Sequence, residues 1–192
     1  MGKGGSVQKF SETIKKISQN SLELVDSLLA IPSESVVEMS LVDLTELLIE
    51  TCQQTEPMAQ AKGQSLIREL LPEKSMVQGN SVKLRELIAN LLSNAIKYSP
   101  QKGKIWVRCL KSNGDYLVEI EDQGPGFRDE DRPKAFQYGQ RLSARPTGSE
   151  TSTGIGLFTA KQIVELHHGR IEIGQARAGS GACLRFYLSQ KT

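Results

Sequence analysis

Two asparagines one helical turn apart, Asn90 and Asn94, sit in the stretch ELIANLLSNAIKY with Glu86 ahead of them and Lys97 and Tyr98 behind. At about 100° per residue, Glu86, Asn90, Asn94 and Lys97 fall within one arc of roughly 80°. Leu84, Leu87, Ile88, Leu91 and Ala95 take the opposite side. One face is therefore core and the other a polar stripe. Asparagine is a poor helix former, and solvated helix faces more often carry Lys/Glu pairs. These residue types suit a magnesium triphosphate. An amide oxygen can take one position in a magnesium shell otherwise made of water and phosphate oxygens, and an ammonium meets phosphate as a point charge. On this helix alone, a solvated face explains the stripe equally well.

Two glycine-rich turns lie downstream. After a candidate strand, Tyr116 to Ile120, come Asp122-Gln-Gly124-Pro-Gly126-Phe127; further on stand Ser152-Thr153-Gly154-Ile155-Gly156-Leu157. NLLSNAIKY, DQGPGF and STGIGL resemble, in order and spacing, the N, G1 and G2 boxes of the ATP-binding domain of sensor histidine kinases. That domain belongs to the wider class of Hsp90, gyrase B and MutL ATPases, and the resemblance spans roughly residues 41 to 188. It implies ATP and Mg2+ as cofactors. Asn90 would be the metal ligand, Asn94 and Lys97 would serve the phosphates, and Tyr98 would line the base or ribose. Asp122 would accept the adenine amino group, with Gly124 and Gly126 admitting the base. Guanine presents a carbonyl at that edge and would face the carboxylate acceptor to acceptor. Ser152, Thr153 and the backbone amides of Gly154, Ile155, Gly156 and Leu157 would meet phosphate oxygens at a helix N-terminus. The turn lacks the Gly-Lys-Ser/Thr of a Walker loop.

The 25 residues between Phe127 and Thr153 have no clear periodicity, and such loops are usually functional or disordered. The segment 128–152 resembles the family's ATP lid. Phe136 matches the first residue of its F box, and Tyr138 and Gly139 depart from the second phenylalanine. Arg141 and Arg145 are candidates to reach the terminal phosphate. In the Hsp90 and MutL type of ATPase the position of Glu86 holds a water-activating base, so an ATPase switch remains a rival reading. A nucleotide-binding module without turnover is another.

Length and composition bound these readings. The chain has 192 residues, 38% hydrophobic, with 24 basic against 22 acidic residues, room for one sizeable domain and an appendage. A net charge of +2 gives no sign of a nucleic-acid surface. No apolar run approaches the ~20 residues of a membrane span, and no signal-peptide pattern opens the chain. Cys52, Cys109 and Cys183 are too scattered for a disulfide framework or zinc site, which fits a reduced, cytoplasmic compartment, either alone or as part of a membrane-associated sensor.

Residues 1–37 read as a tail and one helix: Phe10, Ile14, Ile17, Ser21, Leu24 and Leu28 alternate steps of four and three. ISQNSLELVDSLLAI resembles the second helix of the kinase dimerisation hairpin. The resemblance implies a dimer through this helix, a phosphoacceptor histidine on a preceding helix outside the chain, and a downstream response regulator. His167 and His168 end the G2 helix, where meeting the helix dipole is the expected role, so the chain is expected to bind ATP without labelling itself. Residues 38–192 read as the catalytic domain. Asp43 and Glu46 suggest a capping box opening a helix that Pro57 should kink or break. Ser65–Leu71 and Met76–Val77 read as strands, and Asn80 or Ser81 caps the N-box helix. Lys104–Leu110 reads as a strand, joined by the hairpin turn Asn113-Gly114 to the strand ending at Asp122. Gly156–Leu166 is the G2 helix, and Ile171–Ile173 and Ala182–Leu188 close the domain. Cys183 stands where the family commonly has a threonine beneath the base. Helices alternating with hairpins imply an α/β (α+β) two-layer sandwich with a mixed sheet, the Bergerat ATP-binding fold by resemblance.

Overall fold

A computed structural model describes residues 38–148, 150, 153–177, 179 and 181–191. The helix expected within residues 1–37, and Ser152, lie outside them. In chain order the elements are β1 (Ser40–Asp43), α1 (Leu44–Ala61), β2 (Ser65–Glu69), β3 (Met76–Gly79), α2 (Ser81–Tyr98), β4 (Lys104–Ser112), β5 (Asp115–Glu121), a 3-10 turn (Arg132–Lys134), α3 (Gly156–Leu166), β6 (Arg170–Gly174) and β7 (Cys183–Ser189).

The main sheet has the order β2-β4-β5-β7-β6, parallel only between β2 and β4. It is the mixed sheet the pattern predicts. The tight turn between β4 and β5 places Asn113 and Gly114 at φ 50° and 86°, the left-handed pair that a two-residue hairpin requires. Leu84, Leu87, Ile88 and Leu91 of α2 are fully buried with Leu44 and Leu48 of α1, in one cluster with Ile105, Val107, Val118 and Phe186 of the sheet. The helices thus form one layer and the sheet the other.

Two local expectations change. Ser40–Asp43 is a strand paired antiparallel with β3, although only Leu41 and Val42 in it are apolar, too short a signal for periodicity. Pro57 lies inside an unbroken α1. Both Pro57 and Gln53, whose carbonyl it leaves without an N–H partner, are exposed, so water can satisfy that carbonyl. Asp43 caps α1 by accepting from the Thr45 N–H, and the same oxygen accepts from the Ser75 N–H, each at 3.1 Å.

The sheet face turned away from the helices carries charge. Register places Glu69, Arg108, Glu119, Arg185 and Glu172 side by side across all five strands, alternating in sign. Arg108 donates to Glu69 at 2.8 Å and to Glu121 at 2.6 Å. Glu119 accepts from Arg185 at 2.7 Å and from Arg177 at 2.5 Å. Glu119 and Glu121 are each 1% exposed, so these charges cover one another. Glu119→Gln should lower stability by about 2 kcal/mol, less than the ~3–5 kcal/mol typical of breaking a fully buried pair, because both arginines keep access to water. Urea unfolding would check it, and a double replacement of Glu119 and Arg185 by leucine should recover most of the loss.

Candidate functional site

The polar stripe of α2 lies along one side of the site, and its geometry is set at the helix ends. At the first end, the Asn80 side chain accepts from the Lys83 N–H at 2.9 Å, the N-cap expected. The Asn80 N–H itself donates to His167 Nε2 at 2.9 Å, and His167 Nδ1 lies 2.7 Å from the Ile163 carbonyl. A carbonyl only accepts, so Nδ1 carries the proton and the ring is neutral. Burial, the largest influence, pushes the His167 pKa down. His167 thus meets the end of its own helix as a neutral donor to the Ile163 carbonyl and not as a cation, and its buried ring also lends its lone pair to another helix's cap. His168 is exposed, at φ 54°.

At the other end, carbonyls left over by the last turn are satisfied from two directions. From the α1–β2 turn, Lys62 Nζ donates to Ile96 O at 2.8 Å and Lys97 O at 3.2 Å, and Gln64 Nε2 donates to Ile96, Ser99 and Pro100 O, each at 3.1 Å. From the long loop, the Thr147 N–H meets Lys97 O at 3.0 Å and Thr147 Oγ1 donates to Ser99 O at 2.6 Å. Sequence reasoning missed Lys62, Gln64 and Thr147. Their only local signal is polarity in a turn or loop.

Between these ends Asn90, Asn94, Lys97 and Tyr98 are half-buried. Among the described residues neither the Asn90 nor the Asn94 amide hydrogen-bonds to the protein, and a Cβ placed on Gly156 would lie 3.6 Å from Asn94 Nδ2. The N-box stripe and the opening of α3 are thus brought together, with Thr153, Gly154, Ile155 and Leu157 at the same turn. Ile155 occupies the N-cap of α3 without a side-chain cap, which leaves the first backbone amides of the helix to other acceptors. Glu86 is paired with Lys83 at 2.9 Å.

Asp122 follows β5 and is 5% exposed. Its Oδ1 accepts from the Gly124 N–H at 2.6 Å and the Ala182 N–H at 3.4 Å, and its own N–H donates to Ala182 O at 2.9 Å. Burial raises its pKa from 3.8 to about 6 against the pull of those two amides. The turn around it tolerates only glycine. A Cβ on Gly124 would come 2.7 Å from Tyr98 O, and one on Gly126, at φ 71°, 2.6 Å from Gly181 O. The place of Cys183 needs correction. Ala182, not Cys183, is the partner of Asp122; Cys183 pairs with Glu121 and Gly174 in the row next to the charged one, on the sheet face away from the helices. A one-residue step along a strand changes the face.

The long loop is folded on itself. Buried Asp131 accepts from the Ser143 N–H at 3.1 Å and the Ser143 hydroxyl at 3.2 Å. Tyr138, the residue that departs from the F box, packs edge-on against Phe158 of α3 with ring centres 5.2 Å apart. Arg141 and Arg145 are exposed, and neither joins an ion pair among the described residues.

The profile of the histidine kinase-, DNA gyrase B- and HSP90-like ATPase family matches residues 79–192, from the cap of α2 to the end of the sheet. The chain belongs to that family. Within it, the likenesses are to sensor histidine kinases and their catalytic domains. The sensor protein SphS of Synechococcus elongatus is 32% identical over 97% of this chain and 45% of its own length. A mycobacterial sensor histidine kinase, MprB, shares the fold with a TM-score of 0.69 and 25% identity over 80% of this chain and 99% of that one. Full-length ShkA, solved in complex with AMPPNP, superposes with a TM-score of 0.77 at 19% identity, over 96% of this chain and 39% of that one. The chain spans less than half the length of SphS. No helix among the described residues is long and apolar enough to cross a membrane.

The raised Asp122 pKa has a thermodynamic consequence. The folded state holds this proton more tightly than the unfolded chain, so the Asp122 contribution to stability falls as pH rises from about 3.8 to about 6. Asp122→Asn keeps the amide acceptor and removes the titration. Its stability relative to the parent should rise between pH 4 and pH 7 by up to about 3 kcal/mol. Denaturation at stepped pH would read this, and a difference that stays flat would contradict it.

Proposed function

We propose that residues 38–192 are the ATP-binding catalytic domain of a sensor histidine kinase, which transfers the γ-phosphoryl of Mg-ATP to a histidine outside this chain, and that residues 1–37 are a tail and a dimerisation-type helix. One observation carries the reading: the α2 stripe, with the Asn90 and Asn94 amides unpartnered among the described residues, faces the glycine turn that opens α3, while Asp122 is held by two backbone amides beside Tyr98. Asp122 takes the adenine amino group, and Gly124 and Gly126 let the base approach. The amides of Gly154 to Leu157, with Ser152 and Thr153, take phosphate oxygens at the positive end of α3. Asn94 and Lys97 steady the phosphates, and Arg141 in the loop 128–152 reaches the terminal one on closure. ShkA was solved with AMPPNP, in line with a triphosphate site.

The residues present suit a magnesium that arrives with the nucleotide. Among the described residues no group of three or more His, Cys, Asp or Glu stands ready to hold a metal. Asn90 would be the single protein ligand, the rest of the shell being phosphate and water. When bound, the metal offsets charge on the transferring phosphoryl. The protein's share is positioning and charge neutralisation. The incoming imidazole belongs to a dimerisation helix of the same or a partner kinase, and the phosphoryl passes on to a response regulator in the cytoplasm. Glu86, the base in a water-activating ATPase, is tied to Lys83, which favours the kinase reading.

Calorimetric titration tests this. Asn90→Ala should weaken Mg-ATP about tenfold or more and Mg-free ATP far less, because it removes a metal ligand. Asp122→Asn should weaken ATP, ADP and adenosine together and narrow the preference for ATP over GTP. Equal losses for ATP and GTP would contradict the Asp122 role, and multiple-turnover phosphate release abolished by Glu86→Gln would overturn the kinase reading.

A further inference from the structure

Lys62 makes a set of contacts that its place in a short turn does not require. Its ammonium is 13% exposed at the side chain. It donates to the Ile96 and Lys97 carbonyls at 2.8 and 3.2 Å, to Thr147 Oγ1 at 2.7 Å, and it pairs with Glu150 Oε1 at 3.2 Å. The first two contacts belong to the carbonyl end of α2, where a cation is favoured by the helix dipole. The other two belong to the second limb of the long loop. Thr147 completes the arrangement, since its N–H and hydroxyl reach the same Lys97 carbonyl and its hydroxyl also the neighbouring Ser99 carbonyl. One cation therefore holds the last turn of the helix that carries Asn94 and Lys97 and, at the same point, the loop whose first limb carries Arg141 and Arg145.

We propose that Lys62 is a positioning residue of the nucleotide site, one that pins the loop at Thr147 and Glu150 to the end of α2, so that residues 128–146 move about a fixed anchor and Lys97 is held in register with the phosphates. The proposal rests on the ATP-site reading above. Four short contacts to one ammonium, two of them to helix carbonyls that otherwise lack intrahelical partners, make the pin costly to open. The Asp131–Ser143 bonds tie the first limb to itself, and Tyr138 packs on Phe158 of α3, so the first limb is organised without Lys62. Lys62 touches no reacting atom in this scheme. It acts through the helix end and through the loop.

The test compares the full chain with Lys62→Met, Lys62→Arg and Glu150→Gln. Amide hydrogen exchange without nucleotide should rise about tenfold over residues 144–150 in Lys62→Met, rise less in Glu150→Gln, and stay near the parent in Lys62→Arg. Calorimetry should show Mg-ATP weakened about tenfold in Lys62→Met, the weight of one charge-assisted hydrogen bond, with adenosine affinity unchanged because Asp122 holds the base. Unchanged exchange over 144–150 would overturn the pin. Equal weakening of ATP and adenosine would reduce Lys62 to a purely structural role and overturn the positioning claim. If the parent chain bound no adenine nucleotide, the ATP-site reading would fall, and the positioning claim with it; the exchange comparison, made without nucleotide, would still decide whether Lys62 pins the loop.

Discussion

In the proposed site, the Asn90 and Asn94 side chains of α2 are left to a ligand, without partners among the described residues, so they cannot also fix where the helix lies. In α2 the conflict is resolved by dividing the tasks. The apolar side, Leu84, Leu87, Ile88 and Leu91, is fully buried and fixes the depth of the helix but leaves sliding along its axis weakly opposed. The ends oppose it. The neutral His167 ring accepts from the Asn80 N–H at one end, and Lys62, Gln64 and Thr147 donate to the carbonyls at the other. These partners come from three different elements, so α3, the α1–β2 turn and the long loop all take their places from the same helix.

The deep end of the site shows the opposite economy. Asp122 is buried, and its pKa of about 6 records a charged form that the fold disfavours. Two backbone amides hold it, Gly124 from the turn after β5 and Ala182 from just before β7, and the turn admits no side chain at Gly124 or Gly126. A less rigid turn would let water reach the carboxyl and lower its pKa, but would also lose the fixed direction of its free oxygen. Local destabilisation supported by over-determined backbone is a common signature of a functional position, in line with the proposed role of Asp122.

The outer sheet face limits what can be inferred from burial. Glu119 and Glu121 are as buried as core residues, at 1% exposed, yet they lie on the sheet face away from α1, α2 and α3. The cross-strand order of alternating charges lets them shield one another, so neither an apolar layer nor a partner is needed to account for their burial.

Read alone, the sequence determined the N-box stripe, both glycine turns, the hairpin at Asn113-Gly114, the Asn80 cap and the mixed two-layer sandwich. These rest on near neighbours: helical periodicity, turn stereochemistry and caps act over a few residues and leave their mark in the chain. Only the tertiary structure decided the rest. Pro57 stays within α1 because its orphaned carbonyl meets water. His167 is a neutral acceptor because α3 ends against the start of α2. Ala182 rather than Cys183 faces Asp122, since register decides which side of a strand a residue occupies, and Lys62, Gln64 and Thr147 meet at one helix end although the first and last are 85 positions apart. Such contacts depend on distant segments arriving at the same place, and no local pattern of residue types encodes that arrival.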